Sequence, residues 1–149
     1  TLFNWLQHYI EGAKCLDLFA GTGALGFEAL SQGAAKVTMV DAHKGITESL
    51  RLHAKTLGAE GLEIICADAQ QWLEHHSNVY DLVFLDPPFS QNLLGKVTSQ
   101  LIDKGHLQKG SIIYIESDDN FEYKGLPLKM LKKSRAGNVK YMLFEYLEN

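Results

Sequence analysis

The tetrapeptide Asp86-Pro87-Pro88-Phe89 closes the apolar run Tyr80-Asp81-Leu82-Val83-Phe84-Leu85. A short β-rich run that stops at two prolines reads as a buried strand entering a rigid loop. Two prolines fix φ and remove two backbone donors, so carbonyls nearby are left to accept hydrogen bonds. With an acid before them and an aromatic ring after them, the corner can accept bonds from an amino group and stack on a flat ring. A strand-ending turn with a core Phe is the simpler reading of the tetrapeptide alone.

A second constellation lies upstream. Gly21, Gly23 and Gly26 match the fingerprint G-x-G-x-x-G, with an apolar run before it and a helical pattern after it. Asp41 stands twenty residues past Gly21, where an acid bonds ribose hydroxyls. A nicotinamide or flavin oxidoreductase shares this fingerprint. The other acids weigh against it, because Asp17, Asp41, Asp68 and Asp86 each lie at or just inside the carboxyl end of one of the first four expected strands. Four carboxylates around one crevice repel a pyrophosphate. They suit a ligand that carries positive charge and a ribose, as S-adenosylmethionine does, with its adenine near Asp68 and the backbone of Ala69. Acids after strands also cap helices, and Asp68 taken alone reads as a cap rather than a contact.

These residues need elements to hold them. Thr1 to Ile10 has the spacing of an amphipathic helix. Strands are expected over 14–19, 36–40, 62–66, 80–85 and 111–116, and helices over 24–32, 43–57 and 69–74 and around Leu93 to Ile102. Leu126 to Lys132 and Val139 to Leu147 read as two strands joined by a turn at Arg135-Ala136-Gly137-Asn138. Alternating strand and helix predicts an α/β fold. Its mostly parallel, seven-stranded sheet has helices on both faces, an antiparallel C-terminal hairpin, and a ligand beyond the carboxyl ends of strands one and four.

The 149 residues are 46% hydrophobic, enough for one domain with one core. A formal net charge of −4 argues against a surface that binds nucleic acid everywhere. The charge is uneven, however: Lys124, Lys129, Lys132, Lys133, Arg135 and Lys140 crowd into one C-terminal stretch, which serves either as a phosphate contact or as a solvated sheet edge. Cys15 and Cys66 both fall in expected strands and read as small core residues of a protein in a reducing compartment. The six histidines have no metal-ligand spacing, so no metal is expected. Without a signal peptide or long apolar span, the chain reads as cytoplasmic and not membrane-bound.

The run Leu16-Asp17-Leu18-Phe19-Ala20-Gly21-Thr22-Gly23-Ala24-Leu25-Gly26-Phe27-Glu28-Ala29-Leu30 resembles the glycine motif of Rossmann-like class I methyltransferases. Together with Asp86-Pro87-Pro88-Phe89 it is similar to the subgroup that methylates exocyclic or amide nitrogens. The similarity is closest to the RsmD-like guanine-N2 methyltransferases of 16S ribosomal RNA. Thr1-Leu2-Phe3-Asn4-Trp5-Leu6, Tyr114-Ile115-Glu116 and the Gly137 hairpin also fit that family. The resemblance implies S-adenosyl-L-methionine as cofactor, held by Asp17, Phe19, Ala20, Gly21, Gly23, Leu25, Asp41, Ala42, Asp68, Ala69 and Asp86. It implies a catalytic corner of Asp86, Pro87, Pro88 and Phe89, and a monomer whose partner is ribosomal RNA or the small ribosomal subunit. Family members open with a basic β-hairpin and an Arg-Pro-Thr segment, so residues 1–149 are expected to be a single catalytic domain without that part. Methylation of DNA adenine-N6 or protein glutamine, and a silent cofactor-binding module, remain as alternatives.

Overall fold

A computed structural model describes residues 3–88, 93–118 and 120–148. Seven strands form one sheet: β1 (Lys14–Asp17), β2 (Lys36–Asp41), β3 (Leu62–Cys66), β4 (Tyr80–Leu85), β5 (Leu107–Ser117), β6 (Leu128–Ala136) and β7 (Val139–Tyr146). Their order is β3-β2-β1-β4-β5-β7-β6, parallel except at β7, which runs antiparallel to both β5 and β6. A 3₁₀ turn (Phe3–Leu6) leads into α1 (Gln7–Ile10). The remaining helices are α2 (Ala24–Ser31), α3 (Lys44–Leu57), α4 (Ala69–His75) and α5 (Leu93–Asp103). This is the mostly parallel α/β sheet with an antiparallel C-terminal hairpin that the sequence predicts.

The central strand β4 shows why the sheet is covered twice. Leu82, Val83, Phe84 and Leu85 are all fully buried, and side chains alternate across a strand. Leu82 and Phe84 enter a core with Leu6, Ile10, Leu25, Ala29 and Leu50. Val83 and Leu85 enter the opposite core with Trp72, Leu73, Leu94, Val97 and Leu101. Each such side chain contributes about 1.5–3 kcal/mol on burial, so a continuous apolar run is stable only where helices cover both faces.

Several boundaries differ from those read in the sequence. Among the described residues, the opening helix is a 3₁₀ turn followed by one α turn, with Leu6 and Ile10 buried and Tyr9 turned outward. β5 begins at Leu107 rather than 111. A register shift between Tyr80 and Leu82 absorbs Gly110, whose φ is 91°, and Ser111 Oγ accepts the Gln108 N–H at 3.0 Å. β6 starts at Leu128, past Pro127, and runs on to Ala136. The turn is therefore only Gly137-Asn138, a two-residue hairpin with Gly137 at φ 62°. Cys15 is buried as expected, its thiol pushed up to about 12 by burial. Cys66 is not a core residue: it is exposed, because β3 is an edge strand covered on fewer sides. Among the described residues no helix is long and apolar enough to cross a membrane.

Candidate active site

The parallel strands end together on one edge of the sheet. Asp17 pairs in register with Met39 of β2 and Phe84 of β4, so Asp86 and Asp41 leave the sheet on either side of β1. This is the switch point at which crossovers leave in opposite directions and a crevice opens. A cavity of about 570 Å³ lies there, in the size range of small-ligand sites. Phe19, Ala20 and Gly21 line it from the first loop, with Leu25 in the first turn of α2. Asp41 and Ala42 come from the second, Asp68 and Ala69 from the third, and Asp86, Pro87 and Pro88 from the fourth. Phe89 lies outside the described residues.

The loop after β1 is held by backbone bonds. Ala20 N–H donates to Val40 O at 3.0 Å, and Gly23 N–H to Ala20 O at 2.8 Å. Gly23 has φ 83° and does not line the cavity; a Cβ there would sit 2.6 Å from Phe27 Cε2 and 2.7 Å from Leu50 Cδ2. Leu50 is core, and the Phe27 ring packs edge-on against His53, so neither gives way freely. Left-handed strain and overpacking together cost about 3 kcal/mol. Gly23→Ala is therefore expected to lower Tm by roughly 6–12 °C in thermal unfolding; an unchanged melt would show that the loop has room to relax.

The acids take different roles. Asp41 Oδ2 accepts the Gly21 N–H at 3.0 Å, and Oδ1 accepts the His43 N–H at 3.0 Å. Asp68 caps α4 by accepting the Gln71 N–H at 3.1 Å while also facing the cavity. Asp17 is buried beneath the crevice rather than lining it; its Oδ2 accepts the Gly26 N–H at 3.2 Å. Burial pushes its carboxyl up to about 7, the Gly26 bond opposes this, and Asp86, Asp41 and Glu116 add to the rise.

Asp17 thereby ties stability to pH. Its folded-state pKa stands above the ordinary value of 3.8, so the folded chain holds the proton more tightly. The stability this gives is complete below 3.8 and lost as pH rises through 7. Asp17→Asn keeps an acceptor for Gly26 and removes the charge. It is expected to raise Tm at pH 8 by several degrees, with more than half of the gain gone at pH 5. Equal gains at both pH values would mean that the carboxyl ionises freely.

Asp86 is exposed at the rim, yet crowding around its carboxyl, followed by the like charge of Glu116, pushes it up to about 6. Glu116, at the end of β5, accepts a bond from the Tyr114 hydroxyl at 3.0 Å. The sequence showed Glu116 only within an expected strand that fits the family, and its place beside Asp86 depends on the pairing of β4 with β5. His43, Ile46, Ala67 and Leu93 also line the cavity. The signal for them was their place just after a strand or in the first turn of a helix.

The family described as conserved hypothetical protein 95 matches residues 1–145. Ribosomal RNA small subunit methyltransferase D of Haemophilus influenzae is 39% identical over 97% of this chain and 78% of its own length. The Escherichia coli K12 protein of the same name is 37% identical over 97% of this chain and 74% of its own. The chain belongs to the methyltransferase D family. The solved structure of Escherichia coli yhhF superposes with a TM-score of 0.94 at 34% identity, covering 99% of this chain and 85% of that one. The cavity opens at the strand-end edge where open α/β sheets hold their ligands.

Proposed function

We propose that this methyltransferase D family member uses S-adenosylmethionine to methylate the exocyclic N2 amino group of a guanine in small-subunit ribosomal RNA, acting as a cytoplasmic monomer. The observation that carries the reading is that Asp86, Pro87 and Pro88 line the same cavity as Gly21, Asp41 and Asp68. The names of the Haemophilus and Escherichia relatives support an RNA substrate.

The residues present fit the cofactor. A carboxylate at the end of β2 suits ribose hydroxyls, apolar Ile46, Ala67 and Leu93 suit an adenine, and the concentration of acids suits a cation. The bound cofactor supplies a methyl group on a positively charged sulfur. The chain's part is to hold the amine. An aromatic exocyclic amine is a weak nucleophile because its lone pair is delocalised into the ring. Asp86 and the Pro87 carbonyl would accept its two N–H bonds, drawing the nitrogen towards tetrahedral geometry with its lone pair aimed at the methyl group. Positioning of this kind supplies several kcal/mol without a covalent intermediate. Phe89 would hold the base face. A base paired within a helix does not reach such a corner, so the target is unpaired or flipped out.

Radiolabelled methyl transfer to under-methylated small subunits, compared with naked RNA and DNA, tests the reading. Label in the ribosomal guanine N2 is the expected result; label in DNA alone, or calorimetric binding of NAD in place of S-adenosylhomocysteine, would overturn it.

A further inference from the structure

The C-terminal hairpin is charged against the sign of the rest of the molecule. Residues 128–146 carry Lys129, Lys132, Lys133, Arg135 and Lys140 against the single acid Glu145, in a chain of net charge −4. The pairing register divides these cations between the two faces. Lys133 stands opposite Met142 and Arg135 opposite Lys140, while Lys132 stands opposite Leu143, whose side chain enters the other core. Lys133, Arg135 and Lys140 thus converge on one face, where with Met130, Ser134 and Met142 they line a groove of about 430 Å³.

Hydrogen bonds and ring contacts surround the groove. Arg135 donates from Nε to Gly137 O at 3.0 Å, and Lys140 bonds Asn120 Oδ1. Phe121 and Tyr123 pack edge-on against Phe144 beneath it, and the Tyr123 hydroxyl lies 3.9 Å from Met130 Sδ. Arg135 directly opposite Lys140 is a cross-strand pair of like charges, which costs stability. Guarding an edge strand against aggregation requires lysines, but it requires neither their convergence on one face nor a repelling pair. An anion between the two cations removes the repulsion.

The groove's position names the anion. Leu85 pairs with Ile115 and Ile115 with Met142, so the residue after Leu85, Asp86, leaves the sheet level with Glu116 and Tyr141. Lys140 and Arg135 stand one residue further out on that same edge. At about 4.8 Å between strands, β7 lies about 10 Å and β6 about 15 Å from β4. We propose that Lys133, Arg135 and Lys140 grip the phosphate backbone of the RNA substrate next to the nucleotide inserted at Asp86, with Met130 and Met142 as an apolar floor for a neighbouring base. This rests on the reading of the chain as an RNA methyltransferase.

The test compares the full chain with its Lys133→Gln/Arg135→Gln/Lys140→Gln variant and with Lys14→Gln/Lys36→Gln, which neutralises two lysines at the opposite edge of the sheet. For the triple variant, KM for the small-subunit substrate is expected to rise tenfold or more while kcat and S-adenosylhomocysteine binding hold. The slope of log kcat/KM against log salt flattens by about 2. Arg135→Lys retains the slope, and the opposite-edge pair behaves as wild type. An unchanged KM and slope in the triple variant, or equal effects from the two sets, would overturn the proposal. Direct RNA retention on filters separates it from the activity. A wild-type chain that binds RNA through these cations but transfers no methyl group leaves the groove standing and removes the proposed function. A chain that transfers to RNA with no loss in the triple variant does the reverse.

Discussion

Asp86→Ala is expected to lower kcat for methyl transfer by about 10³, the scale seen when a single charge-stabilising contact is removed from a transition state. S-adenosylhomocysteine binding, read by calorimetry, is expected to stay close to wild type, because in the proposed function the carboxyl acts on the amine and not on the ribose. The same group sets a pH limb. Its acceptor role needs the carboxylate, and its pKa is pushed up to about 6. The rate of the wild-type chain should therefore fall about tenfold per pH unit below that value. Glu116→Gln removes the like charge beside Asp86 and is expected to move the limb to lower pH. A variant at Asp86 that loses binding and transfer together would show that the residue mainly holds the loop in shape.

Asp41→Ala has the second large effect, and it falls on affinity instead of turnover. Its carboxylate lines the cavity and already organises the glycine loop through the Gly21 N–H. Two charge-assisted bonds to ribose hydroxyls, at about 1.5–3 kcal/mol each with some overlap, amount to roughly a hundredfold in Kd. Calorimetry with S-adenosylhomocysteine should show that loss, with kcat at saturating cofactor much closer to wild type. An unaltered Kd would place the ribose elsewhere.

The two predictions draw on features of different visibility. Asp41 was legible from spacing alone, since twenty residues after the first glycine of a strand–loop–helix unit is one helix and one strand later. Asp86-Pro87-Pro88 was legible because two prolines end a strand wherever they occur. Alternation of apolar runs with helical spacing sufficed for the order of elements, because local periodicity follows from backbone geometry. Resemblance over the whole chain supplied the reaction, which no spacing could.

Other features depended on neighbours. Nothing local tells that Asp17 is buried below the crevice while Asp41 and Asp68 face it, because burial is decided by which strands flank β1. Cys66 is exposed for the same kind of reason: its strand lies at the sheet's edge, and an edge is a property of strand order. The partnership of Glu116 with Asp86 arises from β4–β5 pairing across thirty residues of chain. The basic groove exists only because the β6–β7 register puts Lys133, Arg135 and Lys140 on one face and sends Lys132 to the other. By itself, then, the amino-acid sequence determined the order of the elements and placed the glycine loop and the Asp86-Pro87-Pro88 corner at one end of the sheet. Only the tertiary structure decided which charges meet, because a charge perturbs its neighbours through distance and desolvation, and both are set by pairing between distant segments.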